Sequence, residues 1–209
     1  MKRFKGGSIS SHETQKFVEQ SYLKTSQRDD AVGAFQLDRA LSNDRAAVYY
    51  NQATNNALIV NRGTTGTLQD WSNNVSLATG QYADTERMKN ALDTQLAVRE
   101  KYPGWKITNV AHSQSQAIVA NLNAQGLTDE VITLNGATMP WDVQANNETR
   151  IRSSADLVSG FQVLAPTRRR NKTIKHESFN PLSEHSANIL ERLNPITVFG
   201  RGFIKTYYY

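Results

Sequence analysis

The stretch KITNVAHSQSQAIVANLNAQG, residues 106–126, constrains the fold more than any other part of the chain. Its first seven residues form a short β-branched run. From Gln116 on, apolar residues recur at helical spacing until Gly126, a residue suited to ending a helix. A strand that feeds at once into a helix is the repeating unit of layered α/β architecture, and it leaves Ser113 on the turn between the two.

The rest of the chain extends the same pattern. Ser10 and Glu13 have capping-box spacing, and Phe17, Val18, Tyr22 and Leu23 then predict a helix over Ser11–Ser26. AAVYY and ALIVN, separated by the turn-forming NQATNN, read as a strand pair ending near Asn61. Met88, Leu92 and Leu96 predict a long helix, N-capped by Asp84 and ended by Pro103 and Gly104. EVITLNG and TRIRSS follow as strands, and SEHSANILERLNP as a last helix closed by Pro195. The expectation is one α/β domain over residues 1–209, a mainly parallel mixed sheet flanked by helices, with a basic arm at 1–10 and a tail at 196–209.

Composition narrows the function classes. The sequence has no cysteine, so neither a disulfide framework nor a thiolate metal site is available. MKRFKGGSISSHETQ starts basic and turns polar at once, without the apolar stretch of a signal peptide, and no run reaches the roughly 18 apolar residues of a membrane span. A cytoplasmic protein is expected, or one packaged in a virion. The formal charge is +5, and its densest cluster is RRRNKTIK, with Arg168, Arg169, Arg170, Lys172 and Lys175. Such a cluster suits an anionic membrane surface, although a solvated loop is its plainer reading. Nucleic-acid binding would rest on that cluster alone and is not expected; the oligomeric state is open.

The chemistry turns on Ser113. A nucleophilic serine on a sharp strand-to-helix turn needs small flanking residues because strand and helix approach closely there. Ala111 and Ser115 are both small. A tetrahedral intermediate also needs two N–H donors, one from the residue after the nucleophile, here Gln114, and one from an earlier strand-end loop, where Thr64 stands and adds a hydroxyl. On its own, a serine at a turn is most often a helix cap.

NRGT, then DW, then AHSQS, in that order, resemble the class 3 (fungal-type) lipase family, which carries R-G-[ST], an Asp-Trp or similar pair, and G-H-S-L-G. The resemblance covers roughly residues 20 to 193, with Ala111, Gln114 and Ser115 departing from the family's glycines and apolar residue. It implies an α/β-hydrolase fold and a carboxylic ester hydrolase acting on a lipid or small acyl ester, with neither metal nor cofactor. It further implies a triad in the chain order Ser113, Asp156, His185. TRIRSSADLVSGF matches the family's segment around its acid, and NPLSEHSANIL its late histidine ahead of a helix. In that scheme His185 takes the Ser113 proton and Asp156 fixes the imidazole tautomer. His176 is the rival base; His12 precedes the nucleophile, and His112 should point away from it because strand side chains alternate. The lid position, with only Leu68, Trp71, Val75, Leu77 and Tyr82 as apolar residues, implies a small lid. The short, cysteine-free form is also similar to lipase-like proteins of large DNA viruses, and the alternative reading is a non-catalytic lipase-fold component of a particle.

Overall fold

The computed structural model describes residues 9–63, 86–137, 143–156, 159, 171–178 and 180–193, and the backbone of 197–200 and 203–206. Asp84, Thr64, the lid residues and Arg168 to Arg170 lie outside the described residues.

Helix α1 (Ser11–Tyr22) starts as its capping box dictates: Ser10 Oγ accepts from the Glu13 N–H, and Glu13 Oε2 accepts from the Ser10 N–H at 2.9 Å. The helix ends four residues before the expected Ser26. The buried Arg28 side chain donates to the carbonyls of Gln20, Ser21 and Leu23, taking up oxygens that another turn would have used. The remaining guanidinium nitrogen, Nη1, donates to the Ala46 carbonyl, which pins the helix end to the sheet.

Among the described residues an eight-stranded sheet forms: β2 (Ala31–Val32), β3 (Phe35–Leu37), β4 (Ala46–Asn51), β5 (Asn56–Asn61), β6 (Lys106–His112), β7 (Glu130–Leu134), β8 (Glu148–Ser153) and β9 (Asn171–Ile174), in that spatial order. Pairing is antiparallel from β2 to β5 and parallel from β5 to β9. The crossovers carry α2 (Glu86–Lys101) between β5 and β6 and α3 (Ser115–Ala124) between β6 and β7. This is the mixed, mainly parallel sheet expected from the strand–helix alternation. β1 (Ile9–Ser10) pairs antiparallel with β10 (Thr197–Gly200), which pairs with β11 (Phe203–Thr206), making a separate small sheet.

Period-2 alternation sorts the strands' apolar side chains between two faces. Tyr49, Leu58, Val60, Val110, Ile132 and Ile151 pack with Phe17 and Val18 of α1. Val48, Ile59 and Ile107 face Val98 and Tyr102 on the α2 side. Phe17 is fully buried, with its ring 5.5 Å from Phe35 and 4.9 Å from Tyr49, a burial that contributes roughly 2–3 kcal/mol.

One detail refines the sequence reading and two depart from it. Met88, Leu92 and Leu96 do not share one buried stripe: Leu96 is 48% exposed, and Gln95 and Val98 take the inner face. Steps of four residues drift about 80° over eight residues, so the third residue leaves the face of the first. The last helix divides into a single turn, α4 (Pro181–Glu184), and a 3-10 segment, Ala187–Arg192, which Ser186 caps by accepting from the Asn188 N–H. The described part of the basic stretch is not a loop, since Asn171–Ile174 extends the sheet as β9.

Candidate active site

Ser113 stands where β6 gives way to α3, with φ = +60°, a left-handed conformation in a non-glycine residue. Holding it there costs about 1–2 kcal/mol. The turn is over-determined by its backbone: the Ser113 N–H donates to the Leu134 carbonyl, and the Ser113 carbonyl accepts from the N–H groups of Gln116 and Ala137. Both missing glycines have a local account. Ala111 is buried against Val119 of α3 and Val131 of β7, where there is room for a methyl group. Ser115 uses its hydroxyl as a clamp, accepting from the His112 N–H and donating to the Asn61 carbonyl at 2.7 Å, with the His112 carbonyl also in reach.

The loop after β5 presses on this turn from the other side. A Cβ on Gly63 would sit 2.8 Å from Ser113 Cβ and 3.0 Å from the His112 carbonyl, so only glycine lets the two segments approach this closely. Thr64, the expected hydroxyl donor, comes next and lies outside the described residues. Gln114, the expected N–H donor, is buried at the first turn of α3.

His185 and Asp156 meet. Asp156 follows β8, its side chain fully buried, and its Oδ1 accepts from His185 Nδ1 at 2.9 Å. Asp156 Oδ2 accepts from the Ser159 N–H and hydroxyl, so both carboxylate oxygens are held. With Nδ1 donating, the neutral imidazole has its lone pair at Nε2. No hydrogen bond joins Ser113 Oγ to His185 among the described residues. His176 is held elsewhere, by Ser154 Oγ at 2.9 Å from Nδ1. His12 is exposed on α1.

Several residues that sequence reasoning passed over hold the histidine segment in place. Asn135, also at positive φ (+46°) at the end of β7, donates to the Glu184 carbonyl at 2.9 Å and accepts from the Ser153 N–H. The Glu184 carboxylate is fully buried. It accepts from Arg192 through both oxygens, from the N–H groups of Glu177 and Ser178, and from Ser153 Oγ. The Arg192 guanidinium, ahead of the other donors, pulls its carboxyl pKa down to about 2.

His112 points to the α1 side, where its ring lies 4.9 Å from that of His185. Its Nε2 bonds the His185 carbonyl at 2.8 Å and its Nδ1 bonds the Tyr22 hydroxyl at 2.6 Å. A carbonyl only accepts, so the proton is on Nε2 and Nδ1 accepts from Tyr22, whose oxygen in turn accepts from the Gly63 N–H at 3.0 Å. Burial is the main force lowering the His112 pKa to about 4, with the His185 charge adding to it, which keeps the ring neutral in this relay. Burial also raises the Tyr22 pKa, so the phenol keeps the proton it donates. The spacing of Tyr22, Gly63 and His112 in the chain carries no signal of this contact.

The sequence matches no family model and no curated protein. Among solved structures, the fold is similar to Lip2 lipase from Yarrowia lipolytica, with 14% identity, 78% of this chain and 77% of that chain covered, and a TM-score of 0.50. It is also similar to the native Rhizomucor miehei lipase propeptide complex, with 12% identity, 88% and 78% covered, and a TM-score of 0.50. The likeness is one of fold: the chain has the α/β-hydrolase architecture of fungal lipases.

Proposed function

We propose that the protein is a serine ester hydrolase, lipase- or esterase-like, cleaving a carboxylic ester of a lipid or small acyl substrate. The observation that carries this reading is the 2.9 Å Asp156–His185 contact, tied through the His112–His185 carbonyl bond to a serine held at φ = +60° on a strand-to-helix turn. Strain at a buried polar turn is retained where function requires it, and an aspartate fixed to Nδ1 prepares Nε2 as a base.

Ser113 Oγ attacks the ester carbonyl carbon as its proton passes to His185 Nε2, a transfer for which the Ser113–His185 hydrogen bond closes once substrate is seated. The tetrahedral oxyanion takes N–H bonds from Gln114 and from Thr64, whose hydroxyl is a further donor, while the Gly63 N–H is held by Tyr22. Collapse expels the alcohol, which receives the proton from His185, and water then hydrolyses the acyl-serine by the same relay. Asp156 stays ionised and stabilises the imidazolium.

A fluorophosphonate probe tests the reading because it bonds only to an activated serine. Wild type should gain covalent mass on the peptide containing Ser113, with Ser113→Ala and His185→Ala unlabelled and His176→Ala labelled. A folded wild-type protein that gives no adduct would favour a lipase fold reused without catalysis.

A further inference from the structure

Asn135 follows β7 with its side chain fully buried, and its amide bonds two separate chain segments at once. Nδ2 donates to the Glu184 carbonyl at 2.9 Å and lies 3.4 Å from the Ser186 carbonyl, so its hydrogens reach the residues on either side of His185. Oδ1 accepts from the Ser153 N–H at 2.9 Å, three residues ahead of Asp156. The Ser153 carbonyl in turn accepts from the Asp156 N–H at 3.4 Å. His112 Nε2 takes the remaining carbonyl, that of His185 itself. Three successive carbonyls of the histidine segment, 184 to 186, are therefore held by two side chains from the ends of β6 and β7.

The residue type fits this task closely. A primary amide of this size offers two N–H donors on one atom and an acceptor on the other. Asparagine also tolerates the left-handed φ of +46° found here. The Asn135 N–H donates to the Ile151 carbonyl at 2.8 Å, which fixes the residue against β8. We infer that Asn135 is a positioning residue: its one amide holds the base arm, 184–186, against the acid arm, 153–156, and so sets the Asp156–His185 contact and the plane of the imidazole. The clamp stands on its own hydrogen bonds; its part in ester cleavage rests on the hydrolase reading. In that cycle His185 gains a proton at Nε2 while Nδ1 stays on Asp156, and a shift of about 1 Å at such a group costs on the order of 100-fold in rate.

Asn135→Asp tests the clamp, because it keeps the size, the tolerance of positive φ and an acceptor oxygen, but has at most one hydrogen to donate in place of two. With p-nitrophenyl butyrate, kcat should fall about 10- to 100-fold while KM stays within about twofold, since the change misplaces the base without removing a binding contact. In wild type the proton between His185 Nδ1 and Asp156 should give a downfield NMR signal, which the variant should lose or shift. Val98→Ala, a core truncation on the α2 side, controls for lost stability and should keep both kcat and the signal. Asn135→Gly accepts the same φ and reads the clamp if Asn135→Asp fails to fold. Unchanged kcat, a rise in KM alone, a kcat loss matched by Val98→Ala, or failure of both Asn135 variants to fold overturns the proposal. A downfield signal absent from wild type, or unchanged in the variant, overturns it too. No ester turnover by any form, with the signal present in wild type and lost in Asn135→Asp, keeps the clamp and refutes the hydrolase reading instead.

Discussion

The His185 carbonyl accepts a hydrogen bond from His112 Nε2 at 2.8 Å, so the residue next to Ser113 in sequence holds the backbone of the residue bonded to Asp156. One neutral imidazole thereby couples the strand-to-helix turn, the end of α1 through Tyr22, and the histidine segment. The expectation that His112 points away from its neighbour's chemistry concerns only the direction of its side chain; the ring acts on the site from the side.

Removing the Tyr22 hydroxyl should break this relay. Tyr22→Phe leaves the Gly63 N–H and His112 Nδ1 without their present partner, at a cost of about 1–3 kcal/mol in unfolding free energy. Probe labelling of Ser113 should slow by about 10- to 100-fold as the loop and the histidine segment shift. Chemical denaturation and labelling rates on the same samples check both. An unchanged labelling rate would limit Tyr22 to stability.

The strain at Ser113 should be measurable. Glycine adopts φ = +60° freely and alanine does not, so Ser113→Gly should be more stable than Ser113→Ala by about 1 kcal/mol, although both lose ester turnover. Denaturant midpoints decide it, and equal stability would show that the surrounding backbone bonds relax the turn.

The buried carboxylate beside His185 should matter more to stability than its distance from the ester would suggest. Glu184→Gln leaves the Arg192 guanidinium without its buried counter-charge and should cost about 3 kcal/mol or more. His185 follows directly in the chain, so labelling of Ser113 should slow too. Circular dichroism melts and probe kinetics measure the pair of effects.

Acid should destabilise the protein in two windows. His112 has a folded pKa of about 4, below the 6.5 of a free imidazole, so the unfolded chain binds the extra proton between these values. Its contribution is fully present above pH 6.5 and is lost as pH falls to 4, on the order of 3 kcal/mol. Glu184, held at about 2 against 4.5, adds a contribution that is present above pH 4.5 and disappears as pH falls toward 2. In His112→Gln, unfolding free energy should be flatter between pH 6.5 and 4 than in wild type; the same slope would refute the assignment.

The sequence by itself determined the element order and the parallel core. β-branched runs and helical spacing are local properties, and Lys106–His112, Glu130–Leu134 and the capping box at Ser10 follow from them directly. It also brought Ser113 to a turn, because a strand run and a helix run abut there. Element ends were less legible: α1 stops at Tyr22 because Arg28, from beyond the helix, takes its last carbonyls. The inner face of α2 is not legible in the four-residue repeat, which drifts around a 3.6-residue helix. The Asp156–His185 pairing was expected from the family resemblance, whereas tertiary structure alone decided the other contacts, across 49 to 90 residues of chain, that hold the site: His112 with the His185 carbonyl, Asn135 with Glu184, and Tyr22 with His112. Each is a hydrogen bond between groups with no shared local periodicity. Parallel β5 to β9 end on one edge, and only that alignment brings the residues after β5, β6, β7 and β8 to the same side of the sheet.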